Sequence, residues 1–292
     1  MKIGLYPGCS LKGGSREYKE SVVAMAKAFD IQLEEIPDWN CCGATAAHNL
    51  SHELSLSLPA RNLSLAEQAG FEILVVPCAA CYSRLTIVQH ELNEDKNLKK
   101  KVSDIIEMPY NGTVKILNVI QFLQQFIIDK LPEKIVKPFD YKVACYYGCL
   151  LVRPHGILKF DRPEDPQTMD AAMKVIGAEA IDWAFKVECC GAGLSMSRTD
   201  VVGKLSGRIV KDAYDRGAEA IIVACPMCHS NLDMRRPEIN KAIGENIEIP
   251  VIYITQAIGM AVGIDEEELG LQRHFVPVNL PKKELKTQME EK

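Results

Sequence analysis

Ten of the eleven cysteines in this 292-residue chain fall into two sets with the same internal order. Each set has a single cysteine, then Cys-Cys-Gly, then a Cys-x-x-Cys pair. The first is Cys9, Cys41, Cys42, Cys78 and Cys81; the second is Cys149, Cys189, Cys190, Cys225 and Cys228. Thiolates are soft ligands that select zinc or iron–sulfur clusters. A structural zinc takes four ligands in a tetrahedron, so five thiols leave one idle. A dithiol redox motif uses the Cys-x-x-Cys pair and leaves Cys-Cys-Gly without a role. A cubane iron–sulfur cluster also takes four cysteines and again leaves one over. Ordinary burial explains single cysteines, not a repeated order. The repetition favours iron–sulfur ligation over zinc.

The two sets lie in an internal duplication. "AEQAGFEILVVPCAAC" (66–81) aligns without a gap on "AYDRGAEAIIVACPMC" (213–228), so that Gly70 falls on Gly217, Cys78 on Cys225 and Cys81 on Cys228. "YPGC" at 6–9 likewise falls on "YYGC" at 146–149. This register selects Cys149 rather than Cys145 as the single cysteine of the second set. Cys145 lies inside the apolar run "KVACYY", where a thiol behaves as a small buried hydrophobe. One position differs between the halves: Pro77 precedes the first Cys-x-x-Cys, whereas Pro226 lies inside the second.

Both halves read as short apolar strands alternating with amphipathic helices, which predicts α/β lobes with parallel sheets. "KIGLY", "EILVVP" and "VKILNVI" are strands of the first half; "KVACYY", "EAIDW", "AIIVA" and "PVIYI" are strands of the second. Tyr18, Val22, Met25, Ala26 and Phe29 recur at helical spacing, and further helices are predicted around Met169–Ile176 and over 199–216. The expected organisation is two pseudo-symmetric Rossmann-like lobes, 1–138 and 139–264, each with one cysteine set, followed by a tail over 265–292 that wraps a neighbour or stays mobile. The segment "VRPHGILKFDRPEDPQ" (152–167) has no counterpart and reads as an inserted loop. The motif cysteines follow strand ends, where parallel sheets place their sites and helix N-termini offer N–H groups to anions.

A net charge of −5 argues against a general nucleic-acid binder. Met1 leads directly into a strand-like run without a secretory signal, and no apolar run approaches the ~20 residues of a membrane span. A cytoplasmic protein without direct membrane insertion is expected, in which eleven cysteines are not structural disulfides.

On the doubled cysteine pattern, "ACYYGCLLVRP" and "ECCGAGLS", the sequence resembles the cysteine-rich CCG-domain family and, within it, the B subunits of heterodisulfide reductase. The chain has no ferredoxin-type cysteine run of the kind that related glycolate oxidase and thiol:fumarate reductase subunits usually add. The resemblance implies that each five-cysteine set binds a noncubane [4Fe-4S] cluster, two fused smaller units sharing an iron and a sulfide, and that Gly43 and Gly191 let the backbone approach closely. It also implies a cytoplasmic methanogenesis enzyme. The mixed disulfide of coenzyme M and coenzyme B would be split between the two clusters. Electrons would come from the ferredoxin-like and flavin-bearing partner subunits of heterodisulfide reductase, the flavin partner being linked to hydrogenase or formate dehydrogenase. The sulfonate and phosphate of that substrate call for cations, for which Lys12, Arg84, Arg153, His155, Lys159 and Arg198 are candidates; His229 is a candidate proton donor. Other readings are an electron-relay subunit of another oxidoreductase, a bacterial homologue acting on a different disulfide, and a zinc-stabilised nonredox protein.

Overall fold

The computed structural model describes residues 2–44 and 47–281. Among the described residues eight short strands form two four-stranded, wholly parallel sheets. The first contains β1 (Ile3–Leu5), β2 (Leu33–Glu35), β3 (Ile73–Val76) and β4 (Lys115–Asn118) in the order β2-β1-β3-β4. The second repeats it with β5 (Lys142–Tyr146), β6 (Glu179–Ala180), β7 (Ala220–Val223) and β8 (Val251–Tyr253) in the order β6-β5-β7-β8. β3 and β7 are buried along their whole length, as expected of parallel strands covered on both faces by helices. In each sheet the chain moves from the first strand to one edge and then crosses to the other side. This leaves a switch point between β1 and β3, and another between β5 and β7, beyond the carboxyl ends of the strands.

The strand predictions differ from the structure at two ends. "VKILNVI" stops at Asn118, because the Asn118 side chain accepts from Gln121 N (2.9 Å) and Gln121 Oε1 accepts from Asn118 N (3.1 Å), starting the helix Val119–Phe126. "EAIDW" shortens to two residues; Trp183 donates through Nε1 to the carbonyl of Cys145 at 3.1 Å instead of extending the ladder. The unpredicted edge strand β2 carries two glutamates among its three residues, so it lacks the apolar run that marks its neighbours. The inserted segment contains one helical turn, His155–Leu158.

The lobes are joined through buried side chains. Tyr18, on the helix Arg16–Ala28, stacks on Tyr253 at a centroid distance of 3.9 Å, and Ser21 and Thr255 share a hydrogen bond of 2.7 Å. The segment 265–281 lies back on its own chain. Arg273 forms a fork with Glu20 (3.0 Å for both contacts), and Phe275 and Val276 donate their backbone N–H groups to Asp233. The rest of the predicted tail, 282–292, lies outside the described residues. Among the described residues no helix is long and apolar enough to cross a membrane.

Candidate metal centre

The carboxyl ends of β1, β2 and β3 deliver the first five cysteines to one place. Cys9 lies in the helical turn Gly8–Lys12 after β1, Cys41 and Cys42 in the loop after β2, and Cys78 caps the helix Ala79–Glu94 that carries Cys81. Cys9 and Cys41 sulfurs are 4.0 Å apart and those of Cys42 and Cys81 3.2 Å, with Cys41–Cys42 and Cys78–Cys81 contacts completing the chain. The second set is built alike. Cys149 meets Cys189, Cys190 lies 3.9 Å from Cys228, and Cys225 contacts Cys228. Cys145 is fully buried in β5 and takes part in neither set.

Two devices recur in both halves. Tyr6 donates to Asn40 O (2.8 Å) and Tyr146 to Glu188 O (2.6 Å), each holding the residue just before Cys-Cys-Gly. Gly8 (φ +61°) and Gly148 (φ +71°) let the chain turn against the last cysteine of the set: an added Cβ would lie 3.1 Å from Cys81 Sγ and 2.8 Å from Cys228 Sγ. Gly43 and Gly191 also have positive φ, but their crowding comes from Ala47 and Leu58 in one case and Leu205 and Val202 in the other, so their close approach is to side chains and backbone of this chain.

Close thiols share protons, so some are held anionic at the expense of their neighbours. Hydrogen bonds from Cys41 and then Cys81 draw the Cys42 thiol down to about 3, and Cys149 draws Cys189 down to about 6. Cys225 is lowered by Cys228 and by Cys78, with further N–H donation from Cys228 and Ala79. Cys78 and Cys225 therefore lie near one another across the lobes, a proximity no pattern within either repeat announces. Tyr18 reinforces it by donating to Ala224 O at 3.1 Å, with Pro77 O at 3.5 Å, the carbonyls just before these two cysteines. Five converging thiols per set, some held as thiolates and supplied with backbone N–H donors, suit an anionic iron–sulfur group.

A cavity of about 580 Å³ opens between the lobes. Its walls include Ala79, Ser83, Arg84 and Ile87 from the first repeat, and Leu150, Met227 and all five thiols of the second set. Of the six predicted cations only Arg84 lines it. Lys12 is paired with Glu35 (2.8 Å), Arg153 with Glu164 (2.9 Å) and Arg198 with Asp200 (2.8 Å). His155 and Lys159 are the ends of the exposed turn in the inserted segment. His229 is buried away from the cavity walls. Its Nε2 lies 3.2 Å from Val251 O and 3.1 Å from His274 Nδ1, and burial pushes its pKa down to about 3. With Asp233 and His274 it forms a compact buried cluster whose polar atoms meet Gln256 and the backbone of 275–276. Tyr6, Tyr18 and Tyr146 were legible only as core or aligned residues, and Asn231, which donates to Cys190 O (3.0 Å), had no sequence signal.

Comparison with known proteins agrees with this architecture. The family model for the cysteine-rich domain, CCG, matches twice, over residues 3–86 and 143–233. The 8-methylmenaquinol:fumarate reductase membrane anchor subunit of Wolinella succinogenes is 30% identical over 94% of this chain and 97% of its own. The B subunit of the ferredoxin/F(420)H(2)-dependent CoB-CoM heterodisulfide reductase of Methanosarcina acetivorans is 29% identical over 94% of each. A solved structure of a hypothetical protein from Helicobacter pylori superposes with a TM-score of 0.80 at 16% identity, covering 95% of this chain and about half (52%) of that one, which supports the fold. With the domain matched in both halves, the chain belongs to the cysteine-rich CCG-domain family.

Proposed function

We propose that this chain is an iron–sulfur oxidoreductase subunit of a larger complex, and that it reduces a small-molecule disulfide at the cavity between its lobes. The observation that carries the reading is the convergence of two five-thiol sets where Cys78 and Cys225 lie near one another, with all five thiols of the second set on the wall of one cavity. The ligands would be Cys9, Cys41, Cys42, Cys78 and Cys81 for one noncubane cluster and Cys149, Cys189, Cys190, Cys225 and Cys228 for the other. Such clusters supply single electrons and iron sites with affinity for sulfur.

The chain's own residues do the rest. Apolar side chains at Ala79, Ile87, Leu150 and Met227 would pack against the S–S bond, and Arg84 offers its charge to an anionic arm of the substrate. The reaction balances as one disulfide plus two electrons and two protons giving two thiols. Similarity to the B subunit of a ferredoxin/F(420)H(2)-dependent heterodisulfide reductase favours the coenzyme M–coenzyme B disulfide, and the family resemblance of the sequence suggests ferredoxin-like and flavin-bearing partners as electron donors. Similarity to the fumarate reductase subunit favours a second reading, in which the chain relays electrons to a partner. Protein purified anaerobically should contain iron and sulfide for two clusters and should turn over the heterodisulfide with an artificial donor. Two reducible clusters without turnover of any disulfide would favour the relay, and a zinc-only protein would overturn both.

A further inference from the structure

The two thiol sets match cysteine for cysteine, yet they do not meet the cavity alike. Among the described residues all five thiols of the second set stand on its wall and none of the first does. The first repeat presents instead residues that flank its cysteines, Ala44, Ala79, Ala80 and Ser83. Burial does not explain the difference. Cys42, Cys78 and Cys81 are as buried as Cys190, Cys225 and Cys228, and both sets have exposed thiols, Cys9 and Cys41 in the first and Cys189 in the second.

The halves differ inside their Cys-x-x-Cys pairs. The register that places Cys78 on Cys225 and Cys81 on Cys228 places Ala80 on Met227. Both residues line the cavity. Ala80 ends at its methyl group and leaves the second set open. Met227 is long and unbranched, a side chain suited to filling gaps, and it reaches across the lobes. Its Sδ lies 3.8 Å from Oγ of Ser10, the residue after Cys9, where the helical turn Gly8–Lys12 packs against the helix Pro226–Leu232.

Resting on the disulfide-reduction reading above, we infer that the substrate disulfide meets the second thiol set alone, Met227 shutting the first set off from the cavity, and that the first set serves to pass electrons to the second. A disulfide divided between the two sets would need thiols of both on the cavity wall. The way between the sets is short, since the Tyr18 hydroxyl reaches the carbonyls that precede Cys78 and Cys225, at 3.5 and 3.1 Å. Two single electrons from an external one-electron donor and two protons from solvent break the S–S bond and leave two thiols.

Electron paramagnetic resonance of the anaerobic protein tests this, with Cys42→Ser and Cys190→Ser assigning each signal to its repeat. Saturating 2-mercaptoethanol, the thiol formed from bis(2-hydroxyethyl) disulfide, should shift the second-repeat signal and leave the first unchanged. Ala80→Met should suppress that shift and, with reduced viologen as donor, raise the KM for the disulfide about tenfold at full iron content, as overpacking of the open wall predicts. Met227→Ala should let the thiol shift both signals, whereas Met227→Leu, of similar volume, should keep the native pattern. In the native protein a shifted first signal, or an unshifted second one, overturns the inference. A Met227→Ala protein with full iron content and the native pattern overturns the part given to Met227. Should either cavity variant fail to hold its metal, the native pattern still decides. A chain that lacks two clusters, or that turns over no disulfide, fails the underlying reading; turnover with a thiol-shifted first signal fails only the division between the sets.

Discussion

Replacing Gly148 by alanine tests how tightly the second thiol set is built. Gly148 has φ +71°, which costs an L-residue about 1–2 kcal/mol. The new Cβ would lie 2.8 Å from Cys228 Sγ, far inside the ~3.5–4.0 Å of favourable contact. Cys228 is buried in the short helix Pro226–Leu232, so relief requires moving the thiol or the helix, at about 1–3 kcal/mol for overpacking. The total is about 2–5 kcal/mol, concentrated on one sulfur. Gly217 is the control: its φ is +76°, but a Cβ there meets nothing within 4 Å, so only the backbone cost of about 1–2 kcal/mol applies. Gly8→Ala, with its Cβ 3.1 Å from Cys81 Sγ, should fall between them and affect the first set. Iron and sulfide assays with thermal unfolding read out both effects. Gly148→Ala should lose or alter the metal of the second set while Gly217→Ala keeps both. Equal stability losses with native iron content in the two variants would refute the claim that Gly148 makes room for the Cys228 sulfur.

Cys145→Ala should keep the metal of both sets and cost about 1 kcal/mol, as a small change of core volume, whereas Cys149→Ala should lose metal from the second set; iron analysis separates them. Tyr18→Phe keeps the stack on Tyr253 but leaves Ala224 O without its donor, and should lower stability in denaturant titration by about 1–3 kcal/mol. Burial, and then His229, hold the His274 pKa down to about 4 against 6.5 for the free side chain. Because the folded value is the lower, the unfolded chain binds the extra proton between them, so this contribution is complete above pH 6.5 and is lost as pH falls towards 4. Unfolding at pH 5 should be easier than at pH 7 by roughly 2 kcal/mol on this account, and His274→Gln should flatten that part of the pH profile.

Much of the site was legible in the sequence because its information is local and written twice. The cysteine order, the 66–81 and 213–228 alignment and the strand–helix alternation depend only on neighbours along the chain, and they imply a parallel α/β lobe repeated with thiols at strand ends. Cys145 could be set aside for the same reason, since its apolar run and the Gly8–Gly148 match are both local. Tertiary structure alone decided what depends on the two halves meeting. The nearness of Cys78 to Cys225, the Tyr18 hydroxyl beneath both Cys-x-x-Cys loops and the cavity between the lobes join residues far apart in sequence, whose mutual placement no periodicity encodes. The same holds for charge: six cations looked alike near the motifs, and only the folded chain pairs Lys12, Arg153 and Arg198 with carboxylates while leaving Arg84 at the cavity. His229 sits one residue from Cys228 in sequence, but helix geometry turns neighbouring side chains in different directions, and its ring enters the buried cluster with His274 rather than the cavity wall.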